Sequence, residues 1–493
     1  MHGLSIRKRQ KYAGSFEESG DTYKRNDQLP LIPDDRACNP FSCPEGGTNM
    51  PSRTFFVTLC LTVVTLSVTA AQTFSPAAIV MFNGLAQQPN DLARYVFLVK
   101  TLPTLPAADR PLAMQMVAST EDELGLYNEA VRDFPLKSRE VESATLPTAA
   151  EWKSDDAAEV IARLAADRRI VLINEAHHDA HTRQLTLALL PRLRALGFNY
   201  FAAEALGSKD TKLMARGYPV ASSGTEYLHE PSYGDIVRVA MKMGFTIVPY
   251  DVDDPAIQER EAGQANNLYR KVFSKDPNAR LFVHSGYAHI DKAKGRLGNV
   301  LPMAAQLKAL TKIEPLSIDQ TQFREQIPRA QGGYQKLVDT FKPEAPVVLV
   351  NRATGKPWSA HPDWYDVNVI LPPSGSEAVE SGYRQPVAIV NDMVRTQPML
   401  SHFVNTQRPE WLTQHEVRVP FQISTALCKV TVPCVIDAYY AGESDNAIAA
   451  DRYAFLQGDM VSKLYLLSGH YRLRAWDIRG RTLSEQDIEV AER

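Results

Sequence analysis

The sequence predicts an α/β protein: a mainly parallel sheet with flanking helices, a helical N-terminal segment before it and a small C-terminal antiparallel β-sandwich after it. Three observations predict this. Between about residues 165 and 350, short apolar runs alternate with stretches whose apolar residues recur at helical spacing. Before that stretch the pattern is helical, and from about residue 410 short strands follow one another at Gly turns. The 493 residues allow about three domains of roughly 150 residues each. A net charge of -3, with 44% hydrophobic and 23% charged residues, fits an ordinary soluble chain. With no basic stripe, it gives no case for a nucleic-acid partner.

From Thr54 to Asn90 there is no charged residue. The run TFFVTLCLTVVTLSVTAAQ, Thr54 to Gln72, follows Arg53 and leads into small residues, with Val68-Thr69-Ala70 or Thr69-Ala70-Ala71 as a cleavage site. That order describes a secretory signal peptide, although the run is also long enough for an uncleaved anchor helix. A start at Met50 would make MPSR its basic beginning, with residues 50–72 the signal and residues 1–49, polar and patternless, untranslated or disordered. The protein is then expected to be exported, periplasmic or secreted, touching a membrane only through the signal segment. Of five cysteines, Cys38 and Cys43 precede Met50 and Cys60 lies in the signal, which leaves Cys428 and Cys434. In an oxidising compartment such a pair is expected to form a disulfide; two separate buried thiols are the alternative.

Residues 73–150 read as helical, and Leu124 to Phe134 is spaced like one helix of a tetratricopeptide hairpin. A solenoid needs further copies at a fixed period, and none is present. The α/β domain is expected over 151–375. Its strands are RRIVLINEA from Arg168, NYFAAEAL from Asn199, FTIVPYD from Phe245, ARLFVHSGYAH from Ala279, IEPLSID from Ile313 and APVVLVN from Ala345. The helices between them are His181 to Gly197, Pro231 to Gly244, Pro255 to Phe273 and Pro302 to Leu310, several ending on Gly. Asp254-Pro255 fits an N-cap with Pro at the first helical position. The tail, 410–493, supplies VRVPFQIS, PCVIDAYYAG, KLYLLSG and HYRLRAWDIRG as strands, with no gathering of titratable residues.

Open α/β sheets place their sites at the carboxyl ends of strands. Those ends carry Glu175 with His177 and His178, then Glu204, then Asp251, then His284 with His289. Glu175 and His177 are two apart and share a face while the strand continues, whereas His178 points away. His284 and His289 would oppose each other on a straight strand, and Gly286 can turn both inward. A carboxylate beside an imidazole orients it and makes a general base. The same groups, Glu175, His177, Glu204, His284 and His289, are candidate ligands for a divalent metal, although the spacing of an HExxH helix is absent. No Gly-x-Ser-x-Gly elbow and no Gly-rich phosphate loop is present. His229 reads as a lone, solvated loop residue.

At these residues the sequence resembles the erythromycin esterase, ChaN and TIKI/TraB superfamily of α/β proteins over roughly 165–320. The family motif Gly-Glu-x-His or Gly-Glu-x-x-His is matched by Asn174-Glu175-Ala176-His177-His178, and both spacings are met. Gly197 to Glu204 is similar to the family's later strand ending in Glu. His284-Ser285-Gly286-Tyr287-Ala288-His289 is similar to its His-rich motif, and Arg260-Glu261 to a stretch on its helix. Asn174 departs from the motif's Gly, and its Cβ is expected to narrow the approach to the site. The resemblance implies esterase or protease activity in some branches and haem binding in the ChaN branch.

The leading expectation is therefore an exported hydrolase of an ester or amide, taking a small-molecule or peptide substrate. Glu175 would orient His177 or His178 as the base, while Glu204, His284 and His289 hold the carbonyl, the water or a metal, and Asp251, Arg260 and Tyr287 bind substrate. The alternatives are a haem- or metal-binding uptake protein with His and Tyr287 as ligands, and a catalytically degenerate binding protein.

Overall fold

The computed structural model describes residues 75–135, 145–252, 256–326, 332–374, 388–390, 393–395 and 408–492. The expected signal segment, residues 1–49 and the Asp254-Pro255 cap lie outside them. Among the described residues, no helix is long and apolar enough to cross a membrane.

The chain opens with helices α1 (Pro76–Leu85), α2 (Asp91–Thr101), α3 (Arg110–Glu123) and α4 (Tyr127–Asp133). Ser75 and Asn90 start the first two by accepting the amides of Ala78 and Asn90's third neighbour, Ala93. The stretch read as one helix from Leu124 begins only at Tyr127, because Gly125 takes a left-handed φ of 75° and separates α3 from α4.

The central sheet contains β1 (Trp152–Asp156), β2 (Ile170–Glu175), β3 (Tyr200–Ala203), β4 (Thr246–Pro249), β5 (Leu281–Gly286), β6 (Leu316–Asp319), β7 (Val347–Asn351) and β8 (Val367–Ile370). Their spatial order is β1-β7-β8-β6-β2-β5-β3-β4. The pairs β6-β8, β6-β2, β2-β5, β5-β3 and β3-β4 are parallel, and β7 runs antiparallel to β8 and β1. Strand β2 is buried along its whole length, as a near-continuous apolar run must be when helices cover both faces. On one face Val171 and Ile173 pack with Leu185 and Leu189 of α6 (His181–Ala195), Ile161 of α5 (Ala157–Ala165) and Ile236 of α7 (Pro231–Lys242). On the other, Ile170 and Leu172 meet Leu268 of α8 (Ile257–Leu268) and Leu307 of α9 (Met303–Thr311).

Beyond a short antiparallel pair, β9 (Ala388–Val390) with β10 (Met393–Arg395), the C-terminal part is antiparallel. It comprises β11 (Val419–Ser424), β12 (Cys434–Tyr440), β13 (Asp451–Phe455), β14 (Val461–Leu466), β15 (Gly469–Asp477) and β16 (Thr482–Val490). Strand β11 pairs with β14, and the other four form a sheet in the order β13-β12-β15-β16. The Sγ atoms of Cys428 and Cys434 are bonded across the turn that enters β12. These strands and helices α1 to α3 bury their apolar faces in one core, where Phe82, Leu92 and Leu98 meet Ile436, Phe455 and Leu473. Titratable residues do gather in the C-terminal part, because short strands bring them together: Arg452 binds Asp437, Arg408 binds Asp451, and Arg418 reaches Asp235 of α7.

Candidate active site

The sheet changes direction at its centre. From β2 the chain moves past β5 to β3, and from β5 it returns past β2 to β6, so the carboxyl ends of β2 and β5 lie at the switch point where α/β sheets open a crevice. Glu175 ends β2, and its register partner on β5 is Gly286. Glu204 follows the last residue of β3 on the far side of β5.

Glu175 sits on the α6 face of the sheet. Its Oε1 lies 2.9 Å from Nδ1 of His177, its Oε2 2.5 Å from Nε of Arg183, and 3.7 Å from Nε2 of His284. Burial presses the Glu175 carboxyl upward, but the Arg183 guanidinium, with His177 and His284, outweighs it and holds the group well below the usual range. An ionised carboxylate only accepts, so Nδ1 of His177 is the donor, which in the neutral imidazole puts the lone pair on Nε2. The imidazole is stacked on Tyr227 at 4.1 Å and meets the edge of Tyr287.

Glu204 lies toward α8. Its Oε1 receives Arg260 at 2.5 Å and Nε2 of His289 at 3.3 Å, and its Oε2 accepts the Gly286 amide at 2.5 Å and the Ser285 hydroxyl at 3.2 Å. Nδ1 of His289 is 2.5 Å from Glu261. Burial opposes a charge on His289, yet Glu261 and Glu204 raise it to about 10, so it is an imidazolium at neutral pH. Gly286 separates the two clusters. A Cβ there would stand 2.7 Å from Nε2 of His177 and 3.2 Å from Oε2 of Glu204, so only glycine lets imidazole and carboxylate face each other over this point.

His178 leaves Glu175, places Nδ1 3.1 Å from the Tyr287 hydroxyl and stacks on Phe134; burial, with Arg324 beside it, keeps this imidazole neutral. The Tyr287 hydroxyl also accepts the His177 amide at 3.1 Å. His284 binds Thr186 through Nδ1 at 3.0 Å. Asp251 holds Arg260 at 3.1 Å from behind, so that Arg260 lies between two carboxylates inside the protein. His229 is not a solvated loop residue: Nδ1 is 3.0 Å from Asp91 of α2 and Nε2 3.2 Å from the Ala221 carbonyl. Asn174 does not crowd the site, because side chains alternate along a strand. It points to the opposite face, where Nδ2 donates to Asp319, Thr321 and the Tyr287 carbonyl, and Oδ1 accepts the Gln320 amide.

Sequence reasoning missed Arg183, Asp122, Glu230 and Tyr227. The only signal was an arginine inside the apolar stretch of α6, a position that demands buried counter-ions. For a metal, no group of three or more His, Cys, Asp and Glu converges among the described residues. A guanidinium already occupies one oxygen of both Glu175 and Glu204, and both nitrogens of His289 face carboxylates; this donor set does not fit a divalent ion. Nor does it fit haem ligation by Tyr287, whose buried hydroxyl is engaged by His177 and His178 and pushed well above the usual tyrosine range.

The fold and this site define an α/β protein whose sheet edge carries two arginine-backed Glu/His clusters. No family model matches the chain, and no curated protein does. Among solved structures it is similar to the type III effector HopBA1, at 14% identity over 36% of this chain and 86% of that one, with a TM-score of 0.25. It is also similar to a structure described as bacterial protein toxins, at 15% identity over 47% of this chain and 57% of that one, TM-score 0.27. A third is RRSP, a MARTX toxin effector domain from Vibrio vulnificus CMCP6, at 14% identity over 49% and 44%, TM-score 0.22. Likenesses this loose assign no activity.

Proposed function

We propose that the protein is an exported hydrolase of an ester or amide in which His177 is the general base. The observation that carries this reading is the line Glu175, His177, Gly286, Glu204 at the switch point of the sheet. With its Nδ1 proton held by Glu175, His177 takes a proton from water through Nε2 as the water attacks the carbonyl; Glu175 stabilises the imidazolium that forms, and this then gives the proton to the departing alcohol oxygen or amine nitrogen as the C–O or C–N bond breaks. Glu204, fixed by Arg260, Ser285 and the Gly286 amide, holds the water from the other side. The export half of the reading is supported by the apolar run Thr54 to Gln72 and by the bonded cysteine pair. We read the C-terminal strands as a small β-sandwich that supports this unit rather than reacting.

The test is hydrolysis of a panel of p-nitrophenyl esters and fluorogenic peptides by the full chain. His177→Ala and Glu175→Gln are expected to lose at least about 100-fold in kcat/KM, with near-UV circular dichroism showing that each variant is folded at the assay temperature. A parent inactive on every probe, or variants matching it, would refute the reading.

A further inference from the structure

Arg183 has no exposed surface and three carboxylates around it. Its Nε binds Glu175; Nη1 binds Asp122 at 2.7 Å and Glu230 at 3.0 Å; Nη2 donates to the His177 carbonyl at 3.3 Å. Asp122 belongs to α3, outside the sheet domain, and its second oxygen accepts the amide of Ala180 at 3.0 Å, in the turn that carries both histidines. Tyr127 of α4 adds a further tie, donating to Glu230 at 2.8 Å. The N-terminal helices thus reach the candidate site at its counter-ion, as well as through Phe134, at the end of α4, stacked on His178.

A guanidinium fork fixes direction as well as charge. Without Asp122 on Nη1, Arg183 would be drawn wholly onto Glu175 and Glu230. Glu175 would then lose the alignment that presents Oε1 to His177, and the turn at Ala180 would lose its acceptor.

We propose that Asp122 is a positioning residue of this site: acting through Arg183 and the Ala180 amide, it holds Glu175 against His177, so the N-terminal helices are part of the catalytic unit. This rests on His177 being the base, and the experiment separates the two claims. The full chain, labelled with 15N-histidine, is compared with Asp122→Asn by NMR and by the rate on p-nitrophenyl acetate. In the parent, His177 is expected as a single Nδ1–H tautomer. In Asp122→Asn that signal is expected to become a mixture, with kcat about 100-fold lower and KM within twofold. In a Glu175→Gln background the same change is expected to cost nothing more, whereas a merely structural role would cost the same in both.

If the parent hydrolyses nothing but Asp122→Asn still releases the His177 tautomer, the hydrolase reading fails and the positioning stands. If tautomer and rate are unchanged, the positioning fails whatever the activity. Should Asp122→Asn not fold, Tyr127→Phe removes only the outer tie; it is expected to lower kcat about fivefold, and an unaltered rate and His177 signal would overturn the proposal.

Discussion

His181 lies flat on Trp411, with ring planes 7° apart, and burial pushes its imidazole down to about 3. An unfolded histidine titrates near about 6.5, so between these values the unfolded chain binds a proton that the folded one refuses. The resulting stability is complete above about pH 6.5 and is lost as the pH falls toward 3. His181→Phe keeps the stack and is expected to flatten this acid limb in urea unfolding; superimposable limbs would disprove the assignment. Gly286→Ala is the sharpest steric probe, since its Cβ would come within 2.6 Å of Cε1 of His177. It is expected to cost about 1–3 kcal/mol and to abolish hydrolysis, as read by denaturant midpoint and probe turnover. At this scale the sequence was half legible. Glu175, Glu204 and His284 stand out because apolar strands deliver them to one edge. Arg183 and Asp122 do not, since they lie 61 residues apart and only folding makes them partners.

Among the elements, strands written as long apolar runs were readable, and short or polar-interrupted ones were not, buried or exposed. Strands β2 and β5 are apolar runs, whereas β1 reads WKSDD and is mostly exposed, so no alternation marks it. Strand β8 is a four-residue run, VNVI, with Asn368 buried inside it on Asp319. The Cys428–Cys434 bond closes a short loop, with a separation of six residues. By the chain-entropy account such a loop is worth about 2 kcal/mol. Cys428→Ser with Cys434→Ser is therefore expected to lower the unfolding free energy by about that amount, with no change in the denaturant slope. A change near zero would show that the native turn is equally populated without the bond.

For the whole molecule, the shared core of α1 to α3 with β11 to β16 matters most. The segments are separated by the entire sheet domain, so neither composition nor periodicity could reveal that each is the other's apolar cover. Both are also tied to the sheet domain by buried ions, Asp122 on Arg183 and Arg418 on Asp235. Thermal unfolding is expected as one transition, seen alike by near-UV signals of the C-terminal strands and by far-UV helicity. Two resolved steps would show that the helices and strands are independent units.

That core also sets an order in time. A chain emerging N-terminus first completes α3 about 300 residues before β11 exists, an interval of roughly 15–60 s at ordinary synthesis rates. Throughout it the apolar stripe of Phe82, Leu92 and Leu98 faces whatever else binds greasy surface. A message that stops short of β11 leaves the stripe bare for the life of the product, so early truncations should be cleared or aggregate even when every candidate site residue has been made.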